Sequence, residues 1–185
     1  MEVTRRAALG AGAGAALGGL PWRSAKAQAA NTVKIALLTD FSGTYRDVTG
    51  PTKLACLRQA AAEMSNRGFN IEIVFGDNQN RPDVGSNLTR QWIDRDSVDV
   101  VVDGGASSVA LAVNDIIRDK NKVFLNTSSA TSDLTGRACT PNTVHWTYDT
   151  WMLANSVGGA TVRAGGDAWF FITADYAFGH ALERD

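Results

Sequence analysis

Two short segments rich in glycine and hydroxyl side chains carry the residues best suited to binding chemistry. Residues 104–108, Gly-Gly-Ala-Ser-Ser, follow an apolar run and open directly into a predicted helix. The N–H groups and positive dipole end of that helix suit a carboxylate, and the hydroxyls of Ser107 and Ser108 add donors. Residues 126–132, Asn-Thr-Ser-Ser-Ala-Thr-Ser, follow the next apolar run in the same way. Together the segments predict a polar cradle for a small anionic group. The alternative is that Ser107 or Ser108 only caps the helix and the second segment is only a turn.

The sequence offers little that a catalytic centre would need. His145 and His180 are the only histidines, and neither belongs to a metal-ligand pattern. Residues 105–109, Gly-Ala-Ser-Ser-Val, lack the final glycine of a nucleophile elbow. Residues 10–15 alternate glycine and alanine like a relaxed dinucleotide fingerprint, but no predicted strand precedes them. We therefore expect neither an enzyme nor a cofactor.

Aromatic side chains lie close to the ends of predicted strands. Tyr45 is in the loop after the first strand, and Tyr148 and Trp151 lie where the strand–helix pattern restarts. Tyr176 and Phe178 follow the last predicted strand. Aromatic side chains in such loops can form the wall of a pocket for an apolar or planar group. The alternative for Trp151 and Phe178 is packing in the core.

The elements that must position these residues alternate between strand and helix. Short apolar runs are followed by segments with apolar residues at helical spacing, and the connections are short. This alternation predicts an α/β fold with a doubly wound parallel sheet covered by helices on both faces. The predicted strands are 33–39, 71–75, 98–102 and 123–125, followed by an extended segment at 144–147, a helix at 150–164, a strand at 168–173 and the start of a further helix.

This pattern divides the chain into two unequal parts. We expect residues 32–143 to form an N-terminal lobe, and residues 144–185 to form a crossover and the beginning of a second, similar lobe within which the chain ends. In an open parallel sheet, ligands bind beyond the carboxyl ends of the strands. Both hydroxyl-rich segments follow such ends.

Residues 1–27 have the composition of an export signal. Arg5 and Arg6 precede a Gly- and Ala-rich apolar run, and no acidic residue occurs between Glu2 and Asp40. The small-x-small pattern that ends at Ala27 predicts cleavage there, and the twin arginines indicate the pathway that exports folded proteins. The alternative is a membrane anchor, but the run is short and weakly apolar. We therefore expect a periplasmic protein.

The net charge of the chain argues against one class of binding partner. The formal net charge of the chain is −1, and four of its 18 basic residues lie in the predicted signal, so the remainder is mildly acidic. We therefore expect no nucleic-acid partner.

Cys56 and Cys139 are the only cysteines. In an exported protein they could form a disulfide, or they could be two separate thiols.

Four motifs together resemble the periplasmic solute-binding proteins of branched-chain amino acid ABC transporters. They are residues 35–43 (IALLTDFSG), 106–112 (ASSVALA), 130–135 (ATSDLT) and 175–179 (DYAFG). The resemblance implies a type I periplasmic-binding-protein fold for residues 32–185. It also implies that the ligand's carboxylate and ammonium are held by the turns after the third and fourth strands. By that resemblance, the ligand-binding residues are Ser107, Ser128 through its backbone, Thr131 or Ala130, and Tyr45 with Tyr176 or Phe178 as the pocket wall.

The resemblance also implies a mechanism and partners. A small molecule is captured when two lobes close on it, and the closed form docks on the membrane permease of the transporter. The sequence is closer to members that carry aromatic acids and other small carboxylates, so an amino acid, an amide or an aromatic carboxylate are all candidate ligands. A sensory receptor domain or an amide-responsive regulator of the same fold is the alternative function. The sequence lacks the motifs of an enzyme built on a doubly wound sheet.

Overall fold

The computed structural model describes residues 31–65 and 67–185, so the predicted export signal lies outside the described residues. A five-stranded parallel sheet has the strand order β2-β1-β3-β4-β5. The strands are β1 (Thr32–Thr39), β2 (Asn70–Asp77), β3 (Val100–Asp103), β4 (Val123–Asn126) and β5 (Thr143–His145). The helices are α1 (Gly50–Glu63), α2 (Pro82–Asp94), α3 (Ser107–Asp119), α4 (Thr150–Arg163) and α5 (Ala177–Arg184), with a 3-10 turn at Ser132–Leu134.

Helices cover both faces of the sheet because its strands are apolar on both sides. Alternate residues of a strand point to opposite faces. Ala36 and Leu38 of β1 therefore pack with the main core cluster, to which α2 and α3 contribute Trp92 and Val109. Leu37, between them, packs instead with residues of α1. The predicted doubly wound α/β fold is confirmed.

The observed boundaries of some elements differ by a few residues from the predicted ones, because tertiary contacts override the local pattern. The third strand begins at Val100 and not at Val98. Val98 is fully buried but lies before the strand, and its amide donates to the carbonyl oxygen of Trp92 at the end of α2 (3.0 Å). Burial of an apolar residue is thus no guarantee that it belongs to the sheet.

The predicted strand at 168–173 is wrong. Residues 166–174 have no regular secondary structure, and no described strand pairs with them. Phe170 is 89% exposed and Ile172 is 93% exposed. An apolar, strand-forming sequence needs a neighbouring strand to satisfy its backbone groups and bury its side chains. None of the described residues supplies one here.

The two cysteines are both free and exposed, so the disulfide considered from the sequence is not formed. Cys56 is on α1, which packs on one face of the sheet. Cys139 follows Ala138, whose carbonyl oxygen accepts a hydrogen bond from Asn114 of α3 (2.9 Å), on the opposite face. The sheet therefore separates the two thiols. No helix among the described residues is long and apolar enough to span a bilayer.

Candidate functional site

A cleft of about 280 Å³ opens at the carboxyl edge of the sheet. Its first walls are the loops after β1 and β3, the neighbouring strands at which the strand order reverses. Such a switch point is where open α/β sheets bind ligands. The lining residues are Tyr45, Val48, Thr49, Gly105, Ala106, Ser107, Ser128, Ser129, Ala130, Tyr148, Tyr176 and Phe178.

The amino end of α3 faces this cleft without a side-chain cap. Its N-cap residue is Ala106 (φ −71°, ψ 154°), so the alternative in which Ser107 or Ser108 only caps the helix is wrong. The Ser107 hydroxyl instead accepts a hydrogen bond from the Thr131 amide (3.2 Å). The first amides of a helix have no intrahelical acceptor. Together with the positive dipole end, they can bind an anion.

The turn after β4 forms the second wall and is hydrogen-bonded to the first. The hydroxyls of Ser128 and Ser129 donate to the carbonyl oxygen of Gly105 at 3.1 and 2.6 Å. The fully buried Asn126 holds the turn itself, through hydrogen bonds with the backbone of Ser129 (2.6 and 3.0 Å). The backbone amides of Ser128 and Ala130 have no acceptor within the described residues. The two turns therefore present unused N–H donors from a fixed backbone.

Asp40 shapes the loop that carries Tyr45. Its fully buried carboxylate accepts hydrogen bonds from the amides of Ser42 (3.2 Å), Gly43 (2.6 Å) and Tyr45 (2.9 Å). A Cβ atom on Gly43 would lie 2.7 Å from a carboxylate oxygen of Asp40, so only glycine fits this turn. The backbone of Tyr45 is therefore fixed by its hydrogen bond to Asp40.

Asp77, at the end of β2, supports the same loop from the neighbouring strand. It accepts hydrogen bonds from the Ser42 hydroxyl (2.6 Å) and from the amides of Phe41 (2.9 Å) and Gln79 (2.8 Å). Burial acts to raise the pKa of Asp77, but these hydrogen bonds to the charged form outweigh it and the pKa is lowered. The loop is therefore anchored by two carboxylates.

Four aromatic side chains also line the cleft. The hydroxyls of Tyr45 and Tyr176 are hydrogen-bonded to each other. Burial raises the pKa of Tyr176, and the hydrogen bond with Tyr45 raises it further. The ring of Phe178 lies 5.9 Å from that of Tyr176, centroid to centroid. Tyr148 is half exposed at the rim. Tyr176 therefore remains neutral at physiological pH.

Most of the residues predicted from the sequence lie together. Tyr45, Ser107, Ser128, Ala130, Tyr176 and Phe178 all line the cleft. Ser108 and Thr131 do not line it. Thr131 is fully buried, and its hydroxyl accepts a hydrogen bond from the Asp133 amide (3.3 Å), which makes it the N-cap of the 3-10 turn. The role of each lining residue toward a ligand stays a prediction.

The sequence does not predict several lining residues as ligand contacts. Gly105, Ala106 and Ser129 lie inside the two hydroxyl-rich segments, and Tyr148 is one of the predicted loop aromatics. Val48 and Thr49 had no signal in the sequence, because nothing local shows that the loop after β1 folds back over the cleft.

None of the described residues that line the cleft has a charged side chain. Among the described residues, no group of three His, Cys, Asp or Glu side chains could hold a metal ion. His180 is paired with Asp175 (3.0 Å), and His145 lies outside the cleft, where burial lowers its pKa. The site can therefore offer hydrogen bonds and aromatic surface to a small molecule.

The sheet and the position of its cleft are those of the type I periplasmic-binding-protein fold. Residues 32–185 match the periplasmic binding protein family model, and the chain belongs to that family. The family and its solved structures are solute-binding proteins of the type I fold and not enzymes. A comparison with curated proteins gives no match.

Solved structures share this architecture. A periplasmic binding protein from Burkholderia mallei is 43% identical with a TM-score of 0.79, over 84% of this chain and 42% of the other. A branched-chain amino acid ABC transporter periplasmic ligand-binding protein from Burkholderia xenovorans is 29% identical with a TM-score of 0.72 (82% and 41%). A Rhodopseudomonas palustris ABC transporter solute-binding protein in complex with benzoate is 24% identical with a TM-score of 0.74 (82% and 42%). The chain thus spans less than half the length of these proteins.

Proposed function

We propose that this chain is part of the extracytoplasmic substrate-binding component of an ABC uptake transporter, and that its cleft holds the carboxylate of a small organic acid. The observation that carries this proposal is that the uncapped amino end of α3 lines the same cleft as Ser128 and Ala130, whose amides are unused. Helix N-termini and backbone amides bind anions without a cationic side chain. The export signal, cleavage near Ala27 and docking on a permease belong to the same proposal.

The remainder of the cleft favours a ligand with an aromatic or apolar group. Tyr45, Tyr176 and Phe178 present ring surface on one side, and Val48 adds an aliphatic side chain. Ring surface of this kind favours offset or edge-to-face contact with a planar group. A cleft of about 280 Å³ lies near the lower bound of roughly 300 Å³ for drug-sized ligand sites, which suits a small ligand.

An amino acid is the second candidate ligand. The Burkholderia xenovorans protein, 29% identical, is a branched-chain amino acid transporter component by name. An α-ammonium group, however, is usually paired with a carboxylate when it leaves water. No acidic side chain lines the described part of the cleft. The described half of the site therefore favours a ligand that is an acid and not a zwitterion.

Calorimetric titration with benzoate, benzamide and leucine tests the proposal. Benzamide has the size of benzoate but no charge. We expect benzoate to bind about tenfold more tightly than benzamide, because hydrogen bonds to a charged acceptor are about twice as strong as neutral ones. Equal binding of the acid and the amide, or no binding of any of the three, would contradict an anion cradle.

Two variants at one position isolate the backbone amide. Ser107 is the first residue of α3, where proline is well tolerated, and Ala106 before it already has the extended conformation that proline requires. Ser107→Pro removes both the hydroxyl and the N–H donor, whereas Ser107→Ala removes only the hydroxyl. We expect the proline variant to lose about tenfold more benzoate affinity than the alanine variant. Equal losses would show that the amide does not contact the ligand.

A further inference from the structure

Lys53 joins the ends of two adjacent strands. It lies near the start of α1, and its Nζ donates to Asp103 Oδ1 (2.7 Å), to the Thr127 carbonyl oxygen (2.8 Å) and to Thr127 Oγ1 (2.9 Å). An ammonium has three donors, so all of them are used. Asp103 is the last residue of β3, and Thr127 is the first residue after β4. One side chain therefore holds the beginning of two of the turns that form the cleft, those after β3 and β4.

Asp103 is held in a backbone conformation that aspartate seldom adopts. Its φ is +88°, and it is followed by Gly104 (φ +91°) and Gly105 (φ +67°). Residues with a Cβ atom avoid this region, and such conformations persist where the surroundings fix them. The Asp103 side chain is fully buried, and within the described residues its only cationic partner is Lys53. The ion pair therefore stabilises the backbone geometry that opens the turn after β3.

The same two turns are joined a second time on the cleft side. There the hydroxyls of Ser128 and Ser129 bind the Gly105 carbonyl oxygen. Thr127 Oγ1 also donates to Asp103 Oδ1 (3.1 Å), which completes the first connection. Neither Lys53 nor Asp103 lines the cleft. The separation of the two turns is thus fixed from both sides, by hydroxyls that line the cleft and by an ion pair that does not.

We infer that Lys53 is a positioning residue for ligand binding. By tying Asp103 to Thr127, it sets the distance between the α3 amides and the amides of Ser128 and Ala130. This inference rests on the proposed function, since those amides are the proposed carboxylate donors. Lys53 controls affinity through backbone geometry alone, because its own donors are fully engaged with protein acceptors.

The test compares Lys53→Met with Lys120→Met, using the full chain and benzoate as the probe. Lys120 makes an ion pair of the same length with Asp94 (2.7 Å), but both partners are exposed and neither lines the cleft. We expect Lys53→Met to weaken benzoate binding by about tenfold, a loss typical of substitutions that act on a site through intervening structure. Lys120→Met should bind benzoate as the parent does. A folded Lys53→Met protein with unchanged affinity would overturn the inference.

A double variant separates positioning from general stability. Lys53→Met leaves the Asp103 carboxylate buried without its partner, and this alone lowers the melting temperature. Adding Asp103→Gly removes that charge and suits the positive φ. We expect the double variant to regain melting temperature while its benzoate affinity stays about fivefold or more below that of the parent. Recovery of affinity together with stability would show a purely structural role for Lys53 and overturn the inference.

A ligand-free measurement distinguishes failure of this inference from failure of the proposed function. The Gly104 amide donates to the Leu38 carbonyl oxygen (2.9 Å), so its hydrogen exchange reports opening of the turn after β3. We expect Thr127→Val, which deletes one acceptor of Lys53, to speed exchange at Gly104 relative to Thr161→Val on α4. If the parent binds none of the probes, the proposed function fails, and this exchange measurement then decides only whether Lys53 fixes the turn after β3. The same variant decides if Lys53→Met does not fold. Unchanged exchange at Gly104 would overturn the inference.

Discussion

The phenol hydroxyl of Tyr45 is hydrogen-bonded to that of Tyr176, although 131 residues separate the two in the chain. Tyr45 belongs to the loop after β1, and Tyr176 is the N-cap residue of α5. This contact therefore joins the loop after β1 to the segment that is predicted to begin a second lobe. Both rings line the cleft, so a ligand there would lie against the contact.

Tyr45→Phe removes this hydrogen bond and leaves the ring in place. We expect a loss of about 1 kcal/mol in the free energy of unfolding, as for a typical partly buried hydrogen bond. Tyr148→Phe is the matched control, because Tyr148 lines the same cleft but is half exposed. Urea denaturation of both variants measures the difference. Equal stability of the two variants would mean that the tyrosine pair contributes nothing.

Stability should fall at alkaline pH because burial and the hydrogen bond with Tyr45 raise the pKa of Tyr176 above its ordinary value of 10.0. The folded state holds this proton more tightly than the unfolded state does. The resulting stabilisation is complete below pH 10.0 and is lost as the pH rises further. In Tyr176→Phe we expect a flatter dependence of the melting temperature on pH above that value. Parallel curves for the parent and the variant would contradict the expectation.

Gly105→Ala should be more damaging than Gly165→Ala. Both glycines have a positive φ, of +67° and +98°, so a Cβ atom strains either backbone by about 1–2 kcal/mol. At Gly105 the added atom would also lie 2.9 Å from Nδ2 of the buried Asn78, whereas at Gly165 it meets nothing within 4 Å. Thermal unfolding of both variants separates the crowding from the strain. Equal losses would indicate that Asn78 moves aside at no cost.

Cys56 and Cys139 should both react with a thiol reagent in the folded chain. Both are free and exposed, and the sheet lies between them. We expect labelling of both thiols without denaturant or reductant, detected by intact-mass spectrometry. Labelling that appears only after reduction would show that the two are paired and would refute the placement of their segments on opposite faces.

The sequence predicts the five-stranded sheet and its covering helices well because these elements are local. Strand β1 and helix α2 have apolar residues at the spacing that their secondary structure requires, so their type and order follow from the pattern alone. The segment at 168–173 has the same local signal as a buried strand. The strand does not form there because strand pairing depends on a neighbouring strand, which no local pattern reveals.

The site was predicted in part for a similar reason. Residues Ser107 and Ser128 follow strand ends that parallel topology brings to one edge, so their meeting could be expected. The N-cap of α3 could not be predicted, because Ala106 occupies that position with an extended backbone and without any side-chain hydrogen bond. Thr131 has the residue type of a ligand contact, but its hydroxyl is used by the following 3-10 turn. Local hydrogen bonds of this kind are decided only in the folded backbone.

The carboxylate of Asp40 has a consequence for how quickly a ligand could be captured. Three amides of the loop after β1 are already hydrogen-bonded to this carboxylate. The conformational entropy of that loop is therefore lost during folding and not when a ligand binds. A preorganised wall needs no rearrangement of its own before docking, so this loop adds no slow step to association. Differences in affinity among related ligands would then appear mainly in how long each one stays.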